Sequence, residues 1–226
     1  MKCDRSRLPL AIAAAFLLVL GLTTACGTGP SEPRVETNPP ANSGQVATAT
    51  LENLQAAYDS ENNTAARYLA FAKKADSQGY PKAASLFRAA ARAEEIHARN
   101  HAEVIRSMGA EPKTELKTPE VGSTAENLWK SIQGESQERD EMYPAYIRQA
   151  RDAHNTAAVH TLRLARSAET GHALLYQAAL EALKDKTSAA TTYYVCPGCG
   201  FTRTGTAGMP ACPACGTEMD KFIVVK

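Results

Sequence analysis

Residues 94–97 read Glu-Glu-Ile-His and residues 169–172 read Glu-Thr-Gly-His. Positions three apart on a helix project from one face, so each tetrapeptide presents a carboxylate and an imidazole together. Both sit where apolar side chains are expected. Glu94 and His97 interrupt a stripe of Ala83, Phe87, Ala90, Val104 and Met108, and Glu169 and His172 interrupt Ala158, Leu162, Ala165, Tyr176 and Leu183. Two further stripes at helical spacing are broken in the same way. Glu61 falls among Leu54, Tyr58, Ala65, Tyr68 and Ala72, and Glu135 and Glu138 fall among Leu128, Ile132, Met142 and Tyr146. A solvated glutamate on an alanine-rich helix would explain any one of these. It does not explain their register: 75 residues separate Glu94 from Glu169 and His97 from His172, and 74 separate Glu61 from Glu135. Five carboxylates in one helical core each carry a desolvation cost of several kcal/mol unless compensated. Two divalent cations supply about that much positive charge, and a Glu plus a Glu-x-x-His from paired helices is the ligand pattern of di-iron and di-manganese bundles.

Working outward, the punctuation divides the region into four helices. The first, about 50–78, is closed by Gly79-Tyr80-Pro81, and the second, about 81–108, by Gly109. A connection rich in Pro and Thr, 110–123, leads to a third helix at about 124–151, and a turn at Asp152–Asn155 opens a fourth at about 155–185. Long helices with a short loop inside each pair predict two antiparallel hairpins packed as a bundle, here over residues 50–186.

Residues 190–226 form a second unit. Cys196-Pro-Gly-Cys199-Gly and Cys212-Pro-Ala-Cys215-Gly are paired knuckles. A two-residue gap lets one turn deliver two thiolates to the same tetrahedral metal, and the glycine that follows allows the tight turn. Zinc and iron use these ligands equally, so the pattern alone leaves the metal open.

The N-terminal residues 1–25 read as an export signal. Lys2, Arg5 and Arg7 precede an apolar run from Leu8 to Leu22, short for a membrane span but suited to a signal-peptide core, with an uncleaved anchor or simple secretion as the alternatives to lipidation. The run ends in Leu-Thr-Thr-Ala-Cys at 22–26, which resembles a bacterial lipoprotein cleavage box with Cys26 as the lipidated residue, although Thr23 stands where the usual Leu would be. Residues 26–49, rich in Pro, Gly, Ser, Thr and Asn, read as a flexible tether. The rest of the chain is expected outside the cytoplasm, attached to a membrane through a lipid anchor only. Lys and Arg total 25 against 24 Asp and Glu, so no charge surplus points to nucleic acid.

Glu61 with Tyr68 seven residues on (ENNTAARY), EEIH ending at His97, GESQERDEMYP at 134–144 and ETGH at 169–172 resemble, in order, the helix motifs of the rubrerythrin family, and the resemblance extends over residues 51–226. It implies a mainly α chain: a ferritin-like four-helix bundle followed by a small rubredoxin-like β domain with Tyr194, Phe201 and Phe222 as its aromatic core. It implies Glu61, Glu94, His97, Glu135, Glu138, Glu169 and His172 as ligands of two irons, with Glu94 and Glu169 bridging and Glu138 as the fifth carboxylate that marks the family. Tyr68 and Tyr143 match tyrosines that hydrogen-bond to ligands; packing alone would be their ordinary role. Behind such a bundle, Cys196, Cys199, Cys212 and Cys215 are expected to hold one iron, zinc being the alternative. Ser60 stands where the family commonly has Gly, a difference expected to matter little. His101 is expected to be a buried histidine and not a ligand.

By the same resemblance the activity is reduction of hydrogen peroxide with electrons from an external donor. The assembly is a homodimer in which one subunit's four-cysteine centre serves the other's bundle. A ferroxidase, a di-iron oxidase of an organic substrate, and a non-enzymatic, zinc-tailed metal-binding module are the competing expectations.

Overall fold

The computed structural model describes residues 43–184 and 189–226. The expected signal segment, Cys26 and the tether as far as residue 42 lie outside the described residues. The chain is mainly helical, with a ferritin-like bundle followed by a three-stranded sheet. Helix α1 spans Ser43–Ser77, α2 Pro81–Ser107, α3 Thr124–Gln137, α4 Tyr143–Asp152 and α5 Thr156–Glu181. No helix among the described residues is long and apolar enough to cross a membrane.

α1 begins at Ser43, ahead of the expected residue 50. The prolines that exclude helix stop at Pro40, and Thr50 is already buried. Gly79, at φ 77°, then turns the chain, and Pro81 opens α2 where its missing N–H costs nothing.

The expected third helix, 124–151, is interrupted. Residues Glu138–Met142 form a π-helical turn between α3 and α4, marked by the bond from the Tyr143 N–H to the Glu138 carbonyl. Pro144 in the first turn of α4 has no N–H to give the carbonyl of residue 140, and the extra residue absorbs the mismatch. Such insertions gather at functional sites, and this one carries Glu138.

The 110–123 connection is strapped to α1 by three side chains one turn apart. Gln55 bonds the backbone of Glu111 and Lys113, Asp59 that of Glu115 and the Thr114 hydroxyl, and Asn63 that of Glu115 and Lys117.

The core forms two apolar clusters. One gathers Tyr68, Phe71, Phe87, Ile96, Leu128 and Tyr176; the other gathers Leu54, Ile105, Tyr143, Ile147 and Leu162. Each such side chain, fully buried, stabilises by about 1.5–3 kcal/mol.

Strands β1 (Tyr193–Val195), β2 (Thr202–Thr204) and β3 (Ile223–Val225) form an antiparallel sheet in the order β2-β1-β3. Strand alternation sends Tyr193 and Val195 into the bundle's apolar core, while Tyr194 packs with Phe201 and Phe222 around the cysteines. Helix α2 holds the backbone of the tail: Ser85 accepts from the Thr191 N–H, Arg88 donates to the Lys226 carbonyl, Arg99 to that of Pro197 and Asn100 to that of Gly198. Within one chain, then, the four-cysteine unit already sits on its own bundle.

Candidate metal centres

Six of the seven expected bundle ligands are buried to 1 % exposure or less: Glu61, Glu94, His97, Glu135, Glu169 and His172. They form two overlapping groups whose ligand atoms lie within 4.8 Å of one another: Glu61, Glu94, His97 and Glu169, and Glu94, Glu135, Glu169 and His172. Glu94 and Glu169 belong to both, the position a bridging carboxylate must occupy.

The imidazoles are oriented from the tail. The Nε2 of His97 lies 3.1 Å from the Cys199 carbonyl. A carbonyl only accepts, so Nε2 carries the proton and Nδ1 turns its lone pair to the carboxylates. The Nε2 of His172 lies 3.2 Å from the Thr202 hydroxyl, which already donates to the Gly200 carbonyl and so accepts here. His97 Nδ1 lies 2.9 Å from Glu94 and 3.0 Å from Glu169, and His172 Nδ1 lies 2.9 Å from Glu169 and 3.5 Å from Glu135.

The tyrosines hold the outer carboxylates. Tyr68 donates to Glu135 at 2.6 Å and Tyr143 donates to Glu61, so both hydroxyls hold carboxylates of the candidate metal site. His101 is fully buried, and burial pushes its pKa down to about 4. Its Nδ1 meets the Thr161 hydroxyl at 3.0 Å and its Nε2 the Tyr143 hydroxyl at 3.3 Å. The expected burial of His101 is observed, and the residue supports Tyr143, which supports Glu61.

The protein groups do not satisfy one another. One oxygen each of Glu61, Glu94, Glu135 and Glu169 is buried without a hydrogen-bond partner. Burial, and then the charges of Glu169, Glu61 and Glu135, push Glu94 well above the usual carboxylate range. Burial and the neighbouring Glu169 raise Glu135 to about 8. Burial would lower His172, but Glu135 and Glu169 outweigh it and hold it at about 10. Four orphaned carboxylate oxygens beside two imidazole Nδ1 atoms, all able to give up their protons to a metal, are a donor set that two divalent cations of the iron class fit.

Glu138 stands at the rim of the expected set. It joins neither group, is partly exposed, and accepts from the Ser60 hydroxyl at 3.2 Å. It starts the π turn, and burial followed by the charges of Glu61, Glu169 and Glu135 pushes it well above the usual carboxylate range. Ser60, expected to be inconsequential, is thus its hydrogen-bond donor. Both line a cleft of about 810 Å³ with Arg67, Trp129 and Met142, leaving Glu138 between that cleft and the buried ligands.

In the tail, Cys196 and Cys215 approach to 3.4 Å and Cys199 and Cys212 to 3.5 Å. Thiolates about 2.3 Å from one tetrahedral metal stand about 3.8 Å apart, so the four sulfurs fit. The two knuckles match: Gly200 N–H bonds the Cys196 carbonyl and Gly216 N–H that of Cys212, both glycines at positive φ. Of these four cysteines only Cys215 is not buried.

Sequence reasoning missed Thr202, Thr161 and Tyr176, whose hydroxyl is buried in the Tyr68–Phe87 aromatic group. Thr202 lies 30 residues from His172 and Thr161 lies 60 from His101, and no local spacing reports such pairs.

Residues 52–180 match the rubrerythrin family profile. The chain is similar to Rubrerythrin-2 of Clostridium acetobutylicum, 36% identical over 176 residues that cover 76% of this chain and 95% of that protein. It is also similar to nigerythrin of Nitratidesulfovibrio vulgaris, 38% identical over 188 residues, 80% of this chain and 89% of that one. The solved structure of nigerythrin in its fully reduced, all-ferrous state superposes with a TM-score of 0.73 at 35% identity, covering 88% of this chain and all of that one. A bundle with paired Glu-x-x-His helices, a four-cysteine tail docked on it and these likenesses agree: the chain belongs to the rubrerythrin family.

Proposed function

We propose that this protein is a peroxide reductase that converts hydrogen peroxide, two electrons and two protons into two molecules of water. The observation that carries this reading is the direct bond from His97 to the Cys199 carbonyl, which joins a ligand of each centre. A ferroxidase or metal store has no evident need for a second redox centre so attached. We assign Glu61, Glu94, His97, Glu135, Glu169 and His172 to the iron pair, with Glu138 approaching from the cleft, and Cys196, Cys199, Cys212 and Cys215 to a third iron. Bound iron supplies the electrons, two at the pair for each O–O bond cleaved and one at a time at the four-cysteine site.

The chain supplies the rest. Apolar packing around the six buried ligands excludes water, so interactions at the site are not screened. Tyr143 and Tyr68 fix Glu61 and Glu135, and the Thr161–His101 pair fixes Tyr143. Peroxide is small and polar, and the cleft ending at Glu138 and Ser60 is the route this reading assigns to it. We further propose an extracytoplasmic, lipid-anchored protein, from the export signal and Cys26; metabolic labelling with a fatty acid, lost on Cys26→Ser, tests that.

The deciding experiment is anaerobic. Iron-loaded protein is reduced, the bleaching of the ferric four-cysteine absorption is recorded, and hydrogen peroxide is added. Rapid return of the colour, with close to three irons per chain by metal analysis, is the expected result. Centres that stay reduced for minutes in peroxide, or zinc in the tail of native protein, would end this reading.

A further inference from the structure

The electrons consumed at the bundle must enter from outside, and the surface around the four cysteines is not uniform. Cys196, Cys199 and Cys212 are buried, with the first knuckle turned to His97, while Cys215 is partly exposed. Beside the second knuckle lies a cleft of about 650 Å³, walled by the end of α4 and the first half of α5 and closed by Ala214. Its ionisable lining residues are Arg151, His154, His160 and Arg163; no carboxylate lines it. Neither arginine has a carboxylate within 4 Å among the described residues, whereas Arg88, Arg92 and Arg139 elsewhere are paired. The floor makes the second observation. Leu164 and Ala214 line the cleft and also pack in the apolar shell of the four cysteines.

We propose that this cleft is the electron-entry port, and that its partner is a small acidic electron-carrier protein. The proposal rests on the reading of the tail as a one-electron iron centre. A carrier seated here stands one layer of side chains from the cysteines. Its acidic groups meet two unpaired arginines, the residue type favoured as an interface anchor. Each encounter transfers one electron: the carrier is oxidised by one, the ferric four-cysteine centre is reduced by one, and no bond is made or broken. Two encounters supply the pair that one peroxide consumes. Electrons therefore enter at the Cys212–Cys215 knuckle and leave at the Cys196–Cys199 knuckle, which gives the near-symmetric tail a direction.

Binding is tested apart from turnover. The probe is an oxidised plant-type [2Fe–2S] ferredoxin, an acidic one-electron carrier, titrated calorimetrically with zinc-loaded protein that cannot accept an electron. Binding is expected at low salt, weakening at least about 10-fold at about 0.3 M salt and about 10-fold or more in Arg151→Glu/Arg163→Glu. Lys73→Glu/Lys74→Glu, an equal charge change on α1 away from the cleft lining, is expected to bind nearly as wild type. No binding at low salt, unchanged binding by the arginine variant, or equal loss in both variants would overturn the proposal. In iron-loaded protein the arginine variant should accept electrons from ferredoxin at least about 10-fold more slowly yet reoxidise with peroxide at the normal rate. A failure of peroxide reoxidation itself would count against the peroxidase reading and leave the binding result standing.

Discussion

Gly200 and Gly216 end the two knuckles with nearly the same backbone, φ +77° and +78°, and replacing each with alanine separates strain from contact. Alanine in this left-handed conformation costs about 1–2 kcal/mol at either position. At Gly216 a Cβ meets nothing within 4 Å, so strain is the whole expected effect. At Gly200 it would lie 2.3 Å from His97 Nε2, 2.9 Å from His97 Cδ2 and 3.2 Å from the Ala93 Cβ. His97 is buried against Glu94 and Glu169 and bonded to the Cys199 carbonyl, so it cannot swing aside. Ordinary contact needs about 3.5 Å, so the knuckle must retreat by about 1 Å. The bond from His97 to Cys199, now 3.1 Å, would open to about 4 Å, beyond hydrogen-bonding range. Leaving that buried donor unpaired adds about 1–3 kcal/mol. Gly200→Ala should therefore cost roughly 2–5 kcal/mol against about 1–2 for Gly216→Ala. Thermal unfolding of the metal-loaded variants reads this difference at roughly 2–4 °C per kcal/mol. Stopped-flow reoxidation of the reduced tail by peroxide reads the coupling, and it should slow in Gly200→Ala and stay close to normal in Gly216→Ala. Equal effects of the two substitutions on both measurements would refute the claim that this glycine exists to bring the knuckle against His97.

Tyr68→Phe removes the 2.6 Å bond to Glu135 and should weaken iron binding at the bundle by about 10-fold or more, measured by competition with a chelator; Tyr176→Phe, whose hydroxyl has no hydrogen-bond partner among the described residues, should change affinity by less than about 2-fold, and similar losses in both would contradict the assignment. Asp59→Ala cuts the middle of the strap and should speed amide exchange at Glu115 by about 5–30-fold, equivalent to about 1–2 kcal/mol, with unchanged exchange as the refuting result. In metal-free protein the raised groups set the pH dependence. Glu135, at about 8 when folded against 4.5 as the reference, keeps a proton that the unfolded chain loses, so its contribution declines as pH rises from 4.5 through 8. His172, at about 10 against 6.5, declines from 6.5 through 10. His101, depressed to about 4, acts oppositely and only below 6.5. Urea unfolding with chelator present should accordingly show stability falling between pH 7 and pH 9, a fall that added metal reduces; a flat profile would count against this sign.

What the sequence by itself determined was set by local periodicity. Polar residues on apolar stripes, repeated at 74 or 75 residues, marked Glu61, Glu94, His97, Glu135, Glu169 and His172, and paired Cys-x-x-Cys turns marked the tail, because helical phase and knuckle geometry are fixed by neighbours in the chain. The tertiary structure decided what depends on groups far apart in sequence. The π turn set Glu138 against Ser60 and the cleft, at the rim of the other carboxylates, since helix phase is lost where a residue is inserted. Thr202 and the Cys199 carbonyl fixed which nitrogen of each histidine faces the ligand cluster, and Arg151 and Arg163 met the second knuckle only when the tail docked. Such contacts follow from how the β1 face and α2 bury one another, and packing between distant segments leaves no periodic mark on either.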